Sequence, residues 1–147
     1  MAVPVYAKRL FRKLTILAKI EATYGTNSTP TGAANAMLAT DCSLTPIEGE
    51  EVDNDNYLPW LGHQGFQPVG LFARLEFSVD INGAGAAGTA PAYGPLLRAC
   101  GMAQTLNAGV SAVYTPVSSA FESLSILFNM DGVQHVLLGA RGTVTLE

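Results

Sequence analysis

The clearest alternation in the chain runs from Leu71 to Asn82. Leu71, Ala73, Leu75, Phe77, Val79 and Ile81 fall on one face, and Phe72, Arg74, Glu76, Ser78, Asp80 and Asn82 on the other. Side chains alternate across a strand, so this pattern predicts a long strand with one dry and one wet side. The dry side needs a surface to lie on. Gly83-Ala84-Gly85-Ala86-Ala87-Gly88 follows, and its glycines permit a sharp reversal and close backbone approach. The segment 92–101 then predicts a short helix, with Pro95 at an early helical position, Leu96, Leu97 and Cys100 as its apolar stripe and Gly101 as its stop. This helix is expected to cover the dry face of the 71–82 strand.

Upstream, Leu14 to Thr23 predicts a first strand, in which Leu14, Ile16, Ala18 and Ile20 alternate with Thr15, Leu17, Lys19 and Glu21. Tyr24 to Gly32 is a loop by composition, and Ala33 to Thr40 a bend. From Leu38 to about Asp53 the chain is expected to be extended, with Pro46 marking an edge or a bulge. The acidic run from Glu48 and the irregular stretch that ends at Pro68 make residues 48–68 a candidate long interface loop. Downstream come a turn at Asn107-Ala108-Gly109, a short strand from Val110 to Thr115, and two strands, Phe121 to Met130 and Val136 to Leu146, joined by the hairpin signal Asp131-Gly132. A two-residue turn there would pair Phe128 with His135 and Ile126 with Leu137, mixing the two faces. The expected register instead pairs Phe128 with Val136, Ile126 with Leu138 and Leu124 with Ala140, through a three-residue loop or a bulge.

Composition adds a size and a surface. At 147 residues the chain is expected to form a single domain. Only 14% of residues are charged and 48% are hydrophobic, which points to surface buried in partners; a well-packed monomer rich in Ala and Gly is the alternative. A net charge of -4 argues against nucleic-acid binding by bulk electrostatics. The charge is lopsided, however. Lys8, Arg9, Arg12, Lys13 and Lys19 are basic residues near the start, whereas Glu48, Glu50, Glu51, Asp53 and Asp55 are clustered acids. The two groups either attract each other between copies or form two solvated faces. Residues 1–13 read as an amphipathic helix or as an extended arm that docks on a neighbour through Val5, Leu10 and Phe11. The same basic residues interrupt the apolar start, so neither a membrane span nor a signal peptide is expected. Cys42 and Cys100 are expected as reduced thiols.

Candidate chemistry is sparse. His63 and His135 are far apart, and the sequence contains no metal-ligand spacing, phosphate loop or nucleophile motif. No cofactor and no enzymatic activity are expected. Arg74, Glu76 and Asp80 alternate along one strand face, an arrangement that lines a wall rather than converging on a point. Tyr57, Trp60 and Phe66 have the composition of an interface hot spot, or else pack on their own domain.

Several segments together resemble the major tail protein of bacteriophages with long non-contractile tails. They are Ala18-Lys19-Ile20-Glu21-Ala22-Thr23-Tyr24-Gly25-Thr26, Pro30-Thr31-Gly32-Ala33, Leu44-Thr45-Pro46-Ile47-Glu48-Gly49-Glu50 and, most specifically, residues 87–101. Val117-Ser118-Ser119, Phe121-Glu122-Ser123 and Gly139-Ala140-Arg141-Gly142 complete the pattern. The resemblance implies a β-sandwich or open barrel with one flanking helix, closed into hexameric rings by a continuous sheet and stacked into a tail tube. It implies a polar lumen that holds a tape-measure protein and later passes DNA without reading its sequence, with terminator and tip proteins at the tube ends. It also implies assembly in the host bacterial cytoplasm and residence in the virion tail. Arg74, Glu76 and Asp80 then become lumen candidates. Val5, Arg9, Phe11, Arg12, Glu50, Asp53, Tyr57, Trp60 and Phe66 become candidates for contacts between copies. Another ring component of a tail or injection tube would fit the same residues. A carbohydrate- or protein-binding β-sandwich module with Tyr57, Trp60 and Phe66 as its platform is a third reading.

Overall fold

The computed structural model describes residues 10, 12–54, 56, 57, 59, 60, 62 and 65–146. Val5, Arg9 and Phe11 lie outside the described residues. The chain is mainly β, with antiparallel sheets and two short helices. In order the elements are β1 (Leu14–Ile20), α1 (Gly32–Asn35), β2 (Ala36–Met37), β3 (Thr40–Asp53), β4 (Phe66–Ser78), α2 (Gly94–Ala99), β5 (Met102–Asn107), β6 (Ser111–Pro116), β7 (Leu124–Met130) and β8 (Val133–Ala140). They fall into two compact units: Thr40–Ser78, which is the β3–β4 hairpin, and the described residues on either side of it.

The larger unit is built on a four-stranded sheet of order β2-β1-β7-β8 and carries the β5–β6 hairpin as a separate two-stranded sheet. β7 is its centre. Leu124, Ser125, Ile126, Leu127 and Phe128 are all buried, as are Ile16, Leu17 and Ala18 of β1. Such runs are apolar without strict alternation because both faces of an inner strand are covered. Helix α2 packs against β1, β5 and β7 of its own unit. Gly94 and Ala99 are its buried residues, and Gly94 leaves room for the Tyr114 hydroxyl, which an added Cβ would meet.

The β7–β8 register departs from expectation. Asp131 and Gly132 form a two-residue turn with φ of 41° and 85°, and both central residues of a type I′ hairpin turn need such positive values. The pairs next to the turn are therefore Phe128 with His135 and Ile126 with Leu137, and a register shift at the far end then brings Leu124 opposite Ala140, the expected pair. A register that kept one apolar face whole has no advantage here, since β7 is dry on both sides. On β8 the consequence is that Val136 and Leu138 are exposed on the same face as Gln134, and the strand ends at Ala140 instead of running to Leu146.

Other boundaries also move. β1 stops at Ile20 and β7 begins at Leu124. β5 was not legible beside Gly101, since Met102-Ala103-Gln104-Thr105-Leu106-Asn107 has weak apolar alternation and is largely exposed. Short helix α1 occupies part of the expected bend, giving two helices where one was expected.

Candidate assembly surface

The hairpin of β3 and β4 is a ribbon of two strands, 14 and 13 residues long. Its extent corrects two expectations. Residues 48–53 are strand, as the extended reading of 38–53 has it and the 48–68 loop does not, and 66–68 are strand too, which leaves 54–65 between the two strands. The strand expected over 71–82 begins at Phe66 and ends at Ser78, leaving Asp80 beyond it.

Paired residues point to the same side of a hairpin. Near its base, Leu44 pairs with Leu75, while Ser43 pairs with Glu76 and Thr45 with Arg74 on the opposite face. The polar face neutralises itself. Arg74 Nε lies 2.9 Å from Glu48 and Nη1 lies 4.0 Å from Glu76, and its guanidinium is 5.9 Å from the Phe72 ring centre. Of the lumen candidates, Arg74 and Glu76 thus share a wall and Asp80 does not extend it.

The apolar side chains of this unit are largely uncovered within the protomer. Ile47, Val52, Phe66, Leu71 and Phe72 are all exposed, and in the connection Trp60 is 66% exposed and Tyr57 fully so. Of the alternating residues 71–81, Leu71, Ala73 and Ile81 are exposed, and Leu75, Phe77 and Val79 are half-buried. Leu71 packs its side chain over Gly49, where an added Cβ would come within 2.9 Å of it.

The ribbon edges are poor templates for strand addition. Pro46 and Pro68 lack donors, the register shifts three times between Thr40 and Glu50, and Gly70 has a φ of 61°. Such interruptions, with edge charges, prevent pairing with a further strand. What the ribbon offers is therefore its faces. Glu50 and Asp53 are exposed on its outer part, and Arg12 is exposed just before β1.

Set against protein-family models, curated proteins and solved structures, the chain matches none.

The other concentration of polar chemistry is a buried carboxylate that the strand pattern did not single out. Glu21, directly after β1, is 8% exposed. Its Oε2 accepts from Gly25 N–H at 2.8 Å and Ser123 Oγ at 2.7 Å, and its Oε1 from Ser125 Oγ at 2.9 Å and Gly139 N–H at 2.8 Å. Burial alone would raise its pKa, but these donors outweigh that effect and hold the carboxyl below its usual value. Ser123 and Ser125, two hydroxyls at the start of an apolar strand, were the available signal. With every oxygen engaged, Glu21 acts as a structural tie rather than a free base.

Beside α2, Arg98 donates from Nε and Nη2 to both oxygens of Glu122 at 2.6 Å, a planar fork. Arg98 and Glu122 border an open groove with Met102, Gln104, Leu106 and Val117. No group of three or more His, Cys, Asp or Glu side chains among the described residues could hold a metal ion. His63 lies outside the described residues, and no described helix is long and apolar enough to cross a membrane.

Proposed function

We propose that this chain is a structural subunit that assembles with copies of itself, as the tail-tube resemblance implies: hexameric rings, stacked into the tube of a phage tail. The observation that carries this reading is the β3–β4 ribbon, whose apolar side chains are exposed along most of its length. A lone two-stranded hairpin is marginal in water, and a large uncovered apolar surface marks a site of association. Burying these side chains against neighbouring copies removes both costs.

The rest of the assignment follows the resemblance. The β-sandwich or open barrel would close into a ring-lining sheet, around a lumen that holds the tape-measure protein and later passes DNA. Terminator and tip proteins would cap the tube, which would be built in the host cytoplasm and carried on the virion.

Negative-stain electron microscopy of the purified protein, with its mass in solution, tests the reading. Rings or hollow tubes are expected. A monomer that persists at high concentration would count against self-assembly and favour Tyr57, Trp60 and Phe66 as a binding platform for another molecule.

A further inference from the structure

The outer end of the ribbon has a composition that selects its occupant. Four successive pairs, Glu50 with Val69, Glu51 with Pro68, Val52 with Gln67 and Asp53 with Phe66, run without a register shift. Glu50, Val52 and Val69 therefore share one face, and Glu51, Asp53 and Phe66 the other. Each face interleaves carboxylates with exposed apolar side chains, Val52 and Phe66 both being 51% exposed. Towards the base, Glu48 and Glu76 have Arg74 as their counter-ion. Glu50, Glu51 and Asp53 have no ion pair among the described residues. A surface of this kind excludes a purely apolar partner, which would bury unpaired carboxylates, and a purely basic one, which would leave the apolar atoms wet.

One segment of the chain has the complementary mixture. Lys8-Arg9-Leu10-Phe11-Arg12-Lys13 interleaves four cations with two large apolar residues. Its described part is tied to the β7–β8 turn. Asp131 accepts from Leu10 N–H at 3.0 Å and lies 3.4 Å from Lys13 Nζ, and Asp131 N–H donates to the Lys13 carbonyl at 2.9 Å. Arg12 is exposed next to this anchor, as is Leu10. Leu10 and Lys13 are thus held to a fixed point on a folded unit.

We infer that the outer end of the ribbon of one copy receives residues 8–13 of a second copy. The inference rests on the self-assembly reading above and supplies its polarity. The ribbon end and the basic segment are different surfaces, so the contact can repeat head-to-tail from copy to copy, whereas a reciprocal exchange would close at a dimer; sedimentation distinguishes the two. Individual exposed ion pairs contribute little. Their effect here is to fix register and reject wrong pairings, because like charges brought together are strongly unfavourable.

The test uses two charge-reversed full-length chains, Lys8→Glu/Arg9→Glu/Arg12→Glu and Glu50→Lys/Glu51→Lys/Asp53→Lys, studied by electron microscopy and sedimentation beside the wild type. Lys13 is left unchanged so that its pair with Asp131 persists. Each variant alone is expected to need at least about tenfold more protein to assemble, a factor worth about 1.4 kcal/mol. An equimolar mixture should recover most of that loss, since the reversed segment of one then meets the reversed ribbon of the other. Circular dichroism of each variant establishes that it is folded, and a chain carrying both sets should assemble by itself. Assembly of either single set at the wild-type concentration would overturn the inference while leaving self-assembly intact. Folded variants that fail both singly and in mixture would also overturn it. A wild type that forms no assemblies overturns the self-assembly reading itself, and this contact with it.

Discussion

The N–H of Gly139 donates to Oε1 of Glu21 at 2.8 Å across 118 residues of sequence. Glu21 follows β1 and Gly139 lies near the end of β8, strands separated in the sheet by β7. The carboxylate therefore spans the central strand, taking Ser123 and Ser125 hydroxyls on the way, while Gly25 brings in the loop after β1. One side chain closes this end of the sheet.

Removing it should be costly. Glu21→Ala leaves two hydroxyls and two backbone N–H groups without their acceptor, and an unmade buried hydrogen bond costs more than a made one contributes. A loss of about 3 kcal/mol is expected in urea unfolding of the protomer. Glu21→Gln keeps the shape but places an NH₂ where donors already point, so it should rescue only partly. A loss below about 0.5 kcal/mol for the alanine variant would mean that the cluster is solvated and not a tie.

The same group fixes the acid dependence. Its folded pKa is depressed below the ordinary 4.5, so its contribution is present above that value and is lost as pH falls through the folded pKa. Protomer stability of the wild type should fall more steeply between about pH 5 and pH 3 than that of Glu21→Gln, which has no proton to take up at this site. Parallel slopes in the two proteins would show that other carboxylates dominate the acid limb.

Gly139 is constrained twice. Its φ is 65°, a conformation in which a side chain is strained, and an added Cβ would lie 3.0 Å from the Tyr24 ring. That ring is itself 68% exposed with Arg141 stacked over it at 5.1 Å, so it can give way only at the cost of that contact. Gly139→Ala should lower stability by about 2 kcal/mol. Tyr24→Ala in the same chain should relieve the steric part and leave the backbone part, so the double variant should be less destabilised than the two single losses added together. Strict additivity in thermal unfolding would assign the whole cost to the backbone.

The sequence was most informative where one face of a strand differed from the other. The 71–82 alternation located β4, and Asp131-Gly132 located the last hairpin. It was least informative where both faces are dry. Leu124-Ser125-Ile126-Leu127-Phe128 has no preferred side, so face matching selected the wrong register and turn geometry decided it. Alternation also says that a side is apolar without saying what covers it. Leu71, at the head of the dry face of β4, is 57% exposed. Of the contact candidates, Trp60, Tyr57 and Phe66 stood out by aromatic composition, whereas Ile47 and Val52 lay in a stretch read as extended, with no alternation to mark them as exposed. Glu21 was missed because its partners come from three separate stretches of the chain, at Gly25, at Ser123 with Ser125, and at Gly139.

Exposed and buried aromatics should separate assembly from folding. Trp60 is 66% exposed, whereas Phe128 is 1% exposed at the centre of β7. Phe128→Ala empties a packed site and should cost about 3–5 kcal/mol, enough to unfold a marginal protomer. Trp60→Ala removes a side chain of which the protomer covers only about a third, so its unfolding should shift by about 1–2 kcal/mol, well below the loss at Phe128. Across a copy-to-copy contact the same change removes a hot-spot anchor worth about 2 kcal/mol, which raises the concentration needed for assembly about thirtyfold. Thermal unfolding below the assembly threshold and sedimentation above it measure the two effects separately. A Trp60→Ala protein that is destabilised as a protomer by as much as Phe128→Ala, yet assembles at the wild-type concentration, would place Trp60 against its own chain and remove it from the assembly surface.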